Sequence, residues 1–133
     1  MYGTFKTYEE MPCSLKFEEM QELHRSILDN ISGDEDAQEL YAELVGKANT
    51  YASIRAGWPL LSREEKQDTD RRRTACHNSL ITHFNMLARY LKKTGRDAEW
   101  RDRLGYEEDD LCNRKRIGDF ACYLAFVNGI NAR

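Results

Sequence analysis

Ser62-Arg63-Glu64-Glu65 opens the longest stretch of the chain without glycine or proline, and that stretch ends only at Gly95. A serine followed three residues later by glutamate is a capping box. The hydroxyl accepts from the third backbone N–H while the glutamate reaches back to the cap. A helix over 63–94 rises about 1.5 Å per residue and is roughly 48 Å long, long for a domain of 133 residues. Its second half carries an apolar seam at Leu80, Phe84, Leu87 and Leu91, broadened by Ile81 and Ala88. Its first half, REEKQDTDRRRT, has no large apolar residue. Either that half projects into solvent or the chain breaks near residues 68–70; one continuous helix is the favoured reading.

Two helical stripes precede it. Ser14 can cap a helix over about 14–31 with Phe17, Met20, Leu23, Ile27 and Ile31 spaced by three and four, and Gly33 follows its last turn. Asp34 or Asp36 can cap a second helix, about 35–56, whose stripe is Ala37, Leu40, Tyr41, Leu44, Ala48 and Tyr51. Gly57 and Pro59 end it. Beyond the long helix, Asp97 can cap a short one, about 97–104, carrying Trp100 and Leu104. An acidic link then leads to a last helix, about 110–128, with Ile117, Phe120, Ala121, Leu124 and Val127 on its stripe. Gly118, Cys122 and Ala125 give that helix a second face of small side chains, which lets a neighbour approach closely. Residues 1–12 show no period and read as an arm.

No strand-period alternation, repeat or long linker divides the chain. Short links favour antiparallel neighbours. The expected fold is therefore a single all-α domain over 1–133, an antiparallel helical bundle of four main helices plus one short helix. A hydrophobic share of 41% argues against disorder, and two prolines with eight glycines exclude collagen-like and proline-rich readings. No apolar run is long enough to span a bilayer, and the opening MYGTFKTYEEM lacks a basic region followed by an apolar one. The expectation is a soluble, cytoplasmic protein.

Metal and covalent chemistry find little support. Cys13, Cys76, Cys112 and Cys122 form no C-x-x-C pair, and none stands at finger-like spacing from a histidine. Cys76 and Cys122 fall beside apolar stripes and read as small buried hydrophobes. His24, His77 and His83 belong to neither H-E-x-x-H nor E-x-x-H. Cys76 and His77 are adjacent and on a helix point about 100° apart, so they cannot form a nucleophile–base pair. Glycine-rich phosphate loops are absent. No metal, cofactor or catalytic residue is expected.

The formal charge of −3 hides an asymmetry: residues 1–61 carry five basic and eleven acidic side chains, residues 62–103 eleven and seven. Between 71 and 96 stand seven basic residues and no acid. Arg71, Arg72, Arg73, Lys92, Lys93 and Arg96 thus form a candidate phosphate-binding surface. Against it, Lys92, Lys93 and Arg96 suit a helix C-terminus, and the arginines can face the acidic second helix of the same molecule. A helix-turn-helix over 97–116 fails on Arg101 and Arg114 at core positions and on Glu107 to Asp110, which would meet DNA with four negative charges.

Extending the long seam backwards from Leu80 gives His77, Arg73 and Asp70. An aspartate, an arginine and a histidine on one face form a candidate anion or small-ligand site. The plainer reading is a seam leaving the core, with Asp70 and Arg73 as an intrahelical pair worth about 0.2–0.5 kcal/mol.

His77-Asn78, Asn85-Met86-Leu87-Ala88-Arg89, Trp100-Arg101, Leu104-Gly105, Arg114-Lys115 and Ile117-Gly118-Asp119-Phe120-Ala121 carry a resemblance over about residues 70–133. The stretch resembles a family of small uncharacterised bacterial proteins, a domain of unknown function found mainly in Gram-positive bacteria. The resemblance implies a bacterial, cytosolic setting and supplies no activity or site residue. The function expected from the residues is a non-enzymatic protein-interaction or regulatory module, acting on a protein partner or by self-association. The alternative is nucleic-acid binding through the basic third helix.

Overall fold

The computed structural model describes residues 16–104 and 111–130, and among them it is all α-helical. The helices are α1 (Phe17–Ile31), α2 (Glu35–Gly57), α3 (Arg63–Lys93), α4 (Glu99–Arg103) and α5 (Leu111–Ala125). A 3-10 turn (Trp58–Leu60) follows α2, and a π turn (Phe126–Ile130) follows α5. The expected arm over 1–12, the Ser14 cap and the acidic link over 106–110 lie outside the described residues. The N-cap of α1 is Lys16, with no side-chain cap bond, so that helix starts later than Ser14 would start it.

Local chemistry sets most helix ends. Asp34 rather than Asp36 caps α2, its Oδ1 accepting from the Ala37 N–H at 3.1 Å. The capping box of α3 is complete: the Glu65 N–H donates to Ser62 Oγ at 3.1 Å and the Ser62 N–H to Glu65 Oε1 at 2.8 Å. Gly33 and Gly95 close α1 and α3 at positive φ (75° and 82°), where a side chain would strain the backbone. Asp97 caps α4 from one position further out than a formal N-cap, accepting from the Glu99 N–H at 2.8 Å.

α2 is the central helix, and residue pairs give the directions. Asp34 meets Tyr90 near the end of α3, and Tyr51 meets His77 midway along it, so α2 and α3 are antiparallel. Tyr41 meets Asn128 while Arg55 meets Asp119, so α5 also runs against α2 and therefore in the same sense as α3. α4 makes this possible: it packs beside Phe84 and Asn85, so the chain has already turned back along the bundle before α5 begins.

The core gathers Met20, Leu23 and Ile27 of α1, Leu44 of α2, Leu80, Phe84, Leu87 and Leu91 of α3, and Phe120 and Leu124 of α5, all with 0–1% exposure. The small-residue face of α5 is spent inside the molecule. Gly118 lies so close to α2 that an added Cβ would come within 2.9 Å of the Tyr51 hydroxyl. Burying this apolar surface, at about 25 cal/mol per Å2, is the main force holding the bundle.

α3 outruns that core. Its first buried residue is His77, so the segment from Arg63 to Cys76 is regular helix with no buried side chain.

Candidate functional site

The polar residues at the end of the α3 seam do not converge on one point. Arg73 Nη2 donates to Asp70 Oδ1 at 2.9 Å on the exposed part of the helix. The Arg73 guanidinium also lies 4.4 Å from the centre of the Trp58 ring, a cation–π contact across the α2–α3 corner. His77 sits one turn further in, buried, with its ring edge-on to Tyr51 at 5.5 Å. Arg73 is thus engaged on two sides, and His77 belongs to the core boundary. The three residues form a graded exit from the core and gather no common cavity.

Deeper along the same boundary lies a cluster that periodicity did not single out. Arg55 of α2 forms an ion pair with Asp119 of α5, whose side chain is fully buried. Arg55 Nη1 also donates to Cys122 Sγ at 3.9 Å. Burial opposes the Arg55 charge, but Cys122, Asp119 and Tyr51 together hold its pKa above the ordinary value. Burial likewise raises the Tyr51 phenol, with Arg55 opposing. A buried pair gives up hydration, and its mutual attraction only offsets that loss, so its clearest consequence is to fix how α2 and α5 are seated. One signal was in the sequence: Asp119 is a lone acid inside an otherwise apolar run.

Arg101 is a fully buried cation, with 0% exposure, whose Nε donates to Asn85 Oδ1 at 2.7 Å. It is a core residue of the α4–α3 contact despite its charge. A third polar group joins α1, α2 and the π turn. His24 Nε2 and Tyr41 Oη are 2.8 Å apart, and Asn128 Nδ2 donates to the same hydroxyl at 3.0 Å. Tyr123 packs edge-on to His24 at 5.9 Å, and burial lowers the His24 pKa.

The candidate phosphate-binding residues are divided. Arg96 donates to Asp34 and, at 2.8 Å, to the Asn30 carbonyl, which closes the end of the bundle where α1, α2 and α3 meet. Arg73 is held by Trp58 and Asp70. Arg71 and Arg72 are exposed near one end of α3, and Lys92 and Lys93 are exposed at the other. Some twenty residues of helix separate the two pairs by about 30 Å. No continuous basic stripe results.

Among the described residues no group of three or more His, Cys, Asp or Glu is placed to hold a metal ion. A cleft of about 190 Å3 between α1 and α4 has exposed Ser26, Asp29, Asp97 and Glu99 on its walls and buried Trp100 beneath. No described helix is long and apolar enough to cross a membrane. Comparison with protein-family models, with curated proteins and with solved structures finds no match.

What does stand out is a surface. Leu60, in the turn at the base of α3, is 83% exposed. Beside it the helix from Arg63 onward offers solvent an ordered, charged face.

Proposed function

We propose that this chain is a non-enzymatic, cytoplasmic protein-interaction or regulatory module whose contact surface is the corner where α2 passes into α3. The observation that carries this is a stretch of α3, from Arg63 to Cys76, that is ordered helix without a buried side chain. A short helix that is polar all round gains nothing from core burial and is marginal on its own in water. An ordered segment of this kind, with a large aliphatic side chain exposed at its base, is suited to contact with another molecule. The resemblance of residues 70–133 to small bacterial proteins sets this reading in a bacterial cell and adds no activity to it.

Nucleic-acid binding is the second reading, and the division of the basic residues speaks against it. It keeps only Arg71 and Arg72 at one end of α3, directly after Asp68 and Asp70, and Lys92 and Lys93 at the other. Fluorescence anisotropy with single- and double-stranded DNA and RNA across a salt series tests it. Micromolar binding with a log–log salt slope of several units would favour nucleic acid over protein.

The interaction reading is tested by placing a photo-crosslinking amino acid at Leu60 or at Ala75 in cells that make the protein. A covalent protein adduct above the 15.6 kDa chain is the expected result. Chain that stays uncrosslinked from both positions would remove the reading.

A further inference from the structure

We propose that the cleft between α1 and α4 binds a small organic ammonium that carries an oxygen acceptor, the chemistry of an amino alcohol. This goes beyond the interaction reading, since other elements than the α2–α3 corner build the cleft. The first observation is charge. Asp29 of α1 stands on one wall, with Asp97 and Glu99 at the start of α4 on the other. Among the described residues none of these three carboxylates pairs with a cation. The one basic residue of the lining, Arg103, donates at 3.3 Å to Glu22, which lies outside it. The cleft therefore holds three uncompensated negative charges, and such a lining concentrates cations.

The second observation is a donor left over. Trp100 is 2% exposed, packs on Phe84 with ring centroids 6.4 Å apart, and forms the floor of the cleft. Its indole Nε1–H is buried and has no hydrogen-bond partner. Buried polar groups are nearly always satisfied, and an indole nitrogen can only donate. An ammonium has three donors and no acceptor, so the occupant that completes this site needs an oxygen beside its charge. The walls set its size. No three acids converge as ligands of a metal ion, so the occupant reaches them through several atoms. The volume of about 190 Å3 lies below the roughly 300–1,000 Å3 of sites for drug-sized ligands, which restricts it to a small molecule. Asn30 Nδ2 donates to the Asp97 carbonyl, tying α1 to the start of α4 and holding the two walls together. The ammonium lies among the carboxylates, and the oxygen accepts from Trp100 at the floor.

The test is an NMR titration of the full, nitrogen-labelled chain, which has two indole N–H signals, from Trp58 and Trp100. Trp58→Phe assigns them, since the signal that remains is that of Trp100. The probes are ethanolamine, propylamine (a methyl group in place of the hydroxyl) and magnesium chloride. Ethanolamine should shift the Trp100 signal saturably at millimolar concentration, as suits so small a ligand, and leave that of Trp58 in place. Its affinity should be about tenfold above that of propylamine. Asp29→Asn/Glu99→Gln alters exposed positions only; it should keep its helix content by circular dichroism and bind about tenfold more weakly. A Trp100 signal unmoved up to about 100 mM ethanolamine, equal affinity for propylamine, the same shift from magnesium chloride, or a double variant that binds as the wild type does would each overturn the proposal. None of these results bears on crosslinking at Leu60 and Ala75, so the ligand site and the interaction reading fail separately.

Discussion

The Asp34 carboxylate does two jobs at once: it caps α2 at the Ala37 N–H and it receives the Arg96 guanidinium from beyond the end of α3, sixty-two positions later. The Tyr90 hydroxyl donates to the same carboxylate at 2.9 Å. One side chain therefore ends one helix link and locks the far end of another helix to it.

This arrangement predicts acid sensitivity. The hydrogen bond from Arg96, followed by that from the Ala37 N–H, holds the Asp34 carboxyl down to about 2, below the usual 3.8. A depressed carboxyl pKa contributes stability that is complete above the unfolded value and is lost as pH falls through the folded one. Thermal unfolding of the wild type should therefore fall more steeply between pH 4 and pH 2 than that of Asp34→Asn. Parallel curves for the two proteins would show that the clamp is not coupled to folding.

The close approach of α5 to α2 predicts opposite signs for two glycine substitutions. Gly118→Ala drives a methyl to 2.9 Å from the hydroxyl of buried Tyr51. Overpacking of about 1–3 kcal/mol exceeds the helix-propensity gain of about 0.5–1 kcal/mol. Gly46, inside α2, has nothing within 4 Å of its Cβ position, so Gly46→Ala should stabilise by about that propensity gain. Urea unfolding measures both. In a Tyr51→Phe background, which removes the nearest atom, the Gly118→Ala penalty should shrink; an unchanged penalty would mean the contact is not its source.

The Arg55–Asp119 pair predicts strong non-additivity. Arg55→Met takes the Arg55 cation from the fully buried Asp119 carboxylate and should cost about 3–5 kcal/mol. That is a large share of a typical stability of about 5–15 kcal/mol. Asp119→Leu should cost less, because Arg55 keeps 17% exposure and its contact with Cys122. The double variant should cost clearly less than the two singles added, because neither charge is then stranded. Additive losses in a double-mutant cycle would mean the two groups are energetically independent.

His24 predicts a second pH dependence in a different range. Burial lowers its pKa below the ordinary 6.5. The unfolded chain then takes up a proton first as the pH drops, so stability decreases below about pH 6.5 and levels off beneath the folded value. A neutral His24 can also accept from the Tyr41 hydroxyl while Asn128 donates to it, and a protonated one cannot accept at all. Between pH 7 and pH 5 the melting temperature of His24→Gln should be flatter than that of the wild type. The neighbouring groups are Tyr41 on α2 and Tyr123 on α5, with the Arg25 charge next to Tyr123. An equal slope in the two proteins would assign the pH dependence elsewhere.

Helices were legible in the sequence because their signals are local. The three-and-four spacing of Met20, Leu23, Ile27 and Ile31 marks a face that must be buried, and all four residues are buried. The Ser62–Glu65 box needs only four consecutive residues to form, and it forms. The all-α bundle follows from such stripes and from the short links between them. The start of α1 was less legible: the described helix begins at Phe17 behind Lys16, which makes no side-chain cap bond, and Ser14 lies outside the described residues. The polar Asp70–Arg73–His77 face was legible as a row, but its members divide between solvent, Trp58 and the core.

What this chain's sequence determined by itself is where each helix runs and which stripe it buries, since hydrogen bonds and side chains a few residues apart decide both. Beyond local partners such as Asp70–Arg73 and the Ser62–Glu65 box, the partners of its charged residues were decided by the tertiary structure. Arg96 looked like part of a basic surface and is a clamp on Asp34; Arg101 looked incompatible with a core and has no exposure. Asp119 meets Arg55 across two helices that sixty-four positions separate. An apolar side chain needs only to be covered, and periodicity announces that need. A charge needs one particular partner at one distance, and no local pattern can name a residue that the packing of α2, α3 and α5 brings to it.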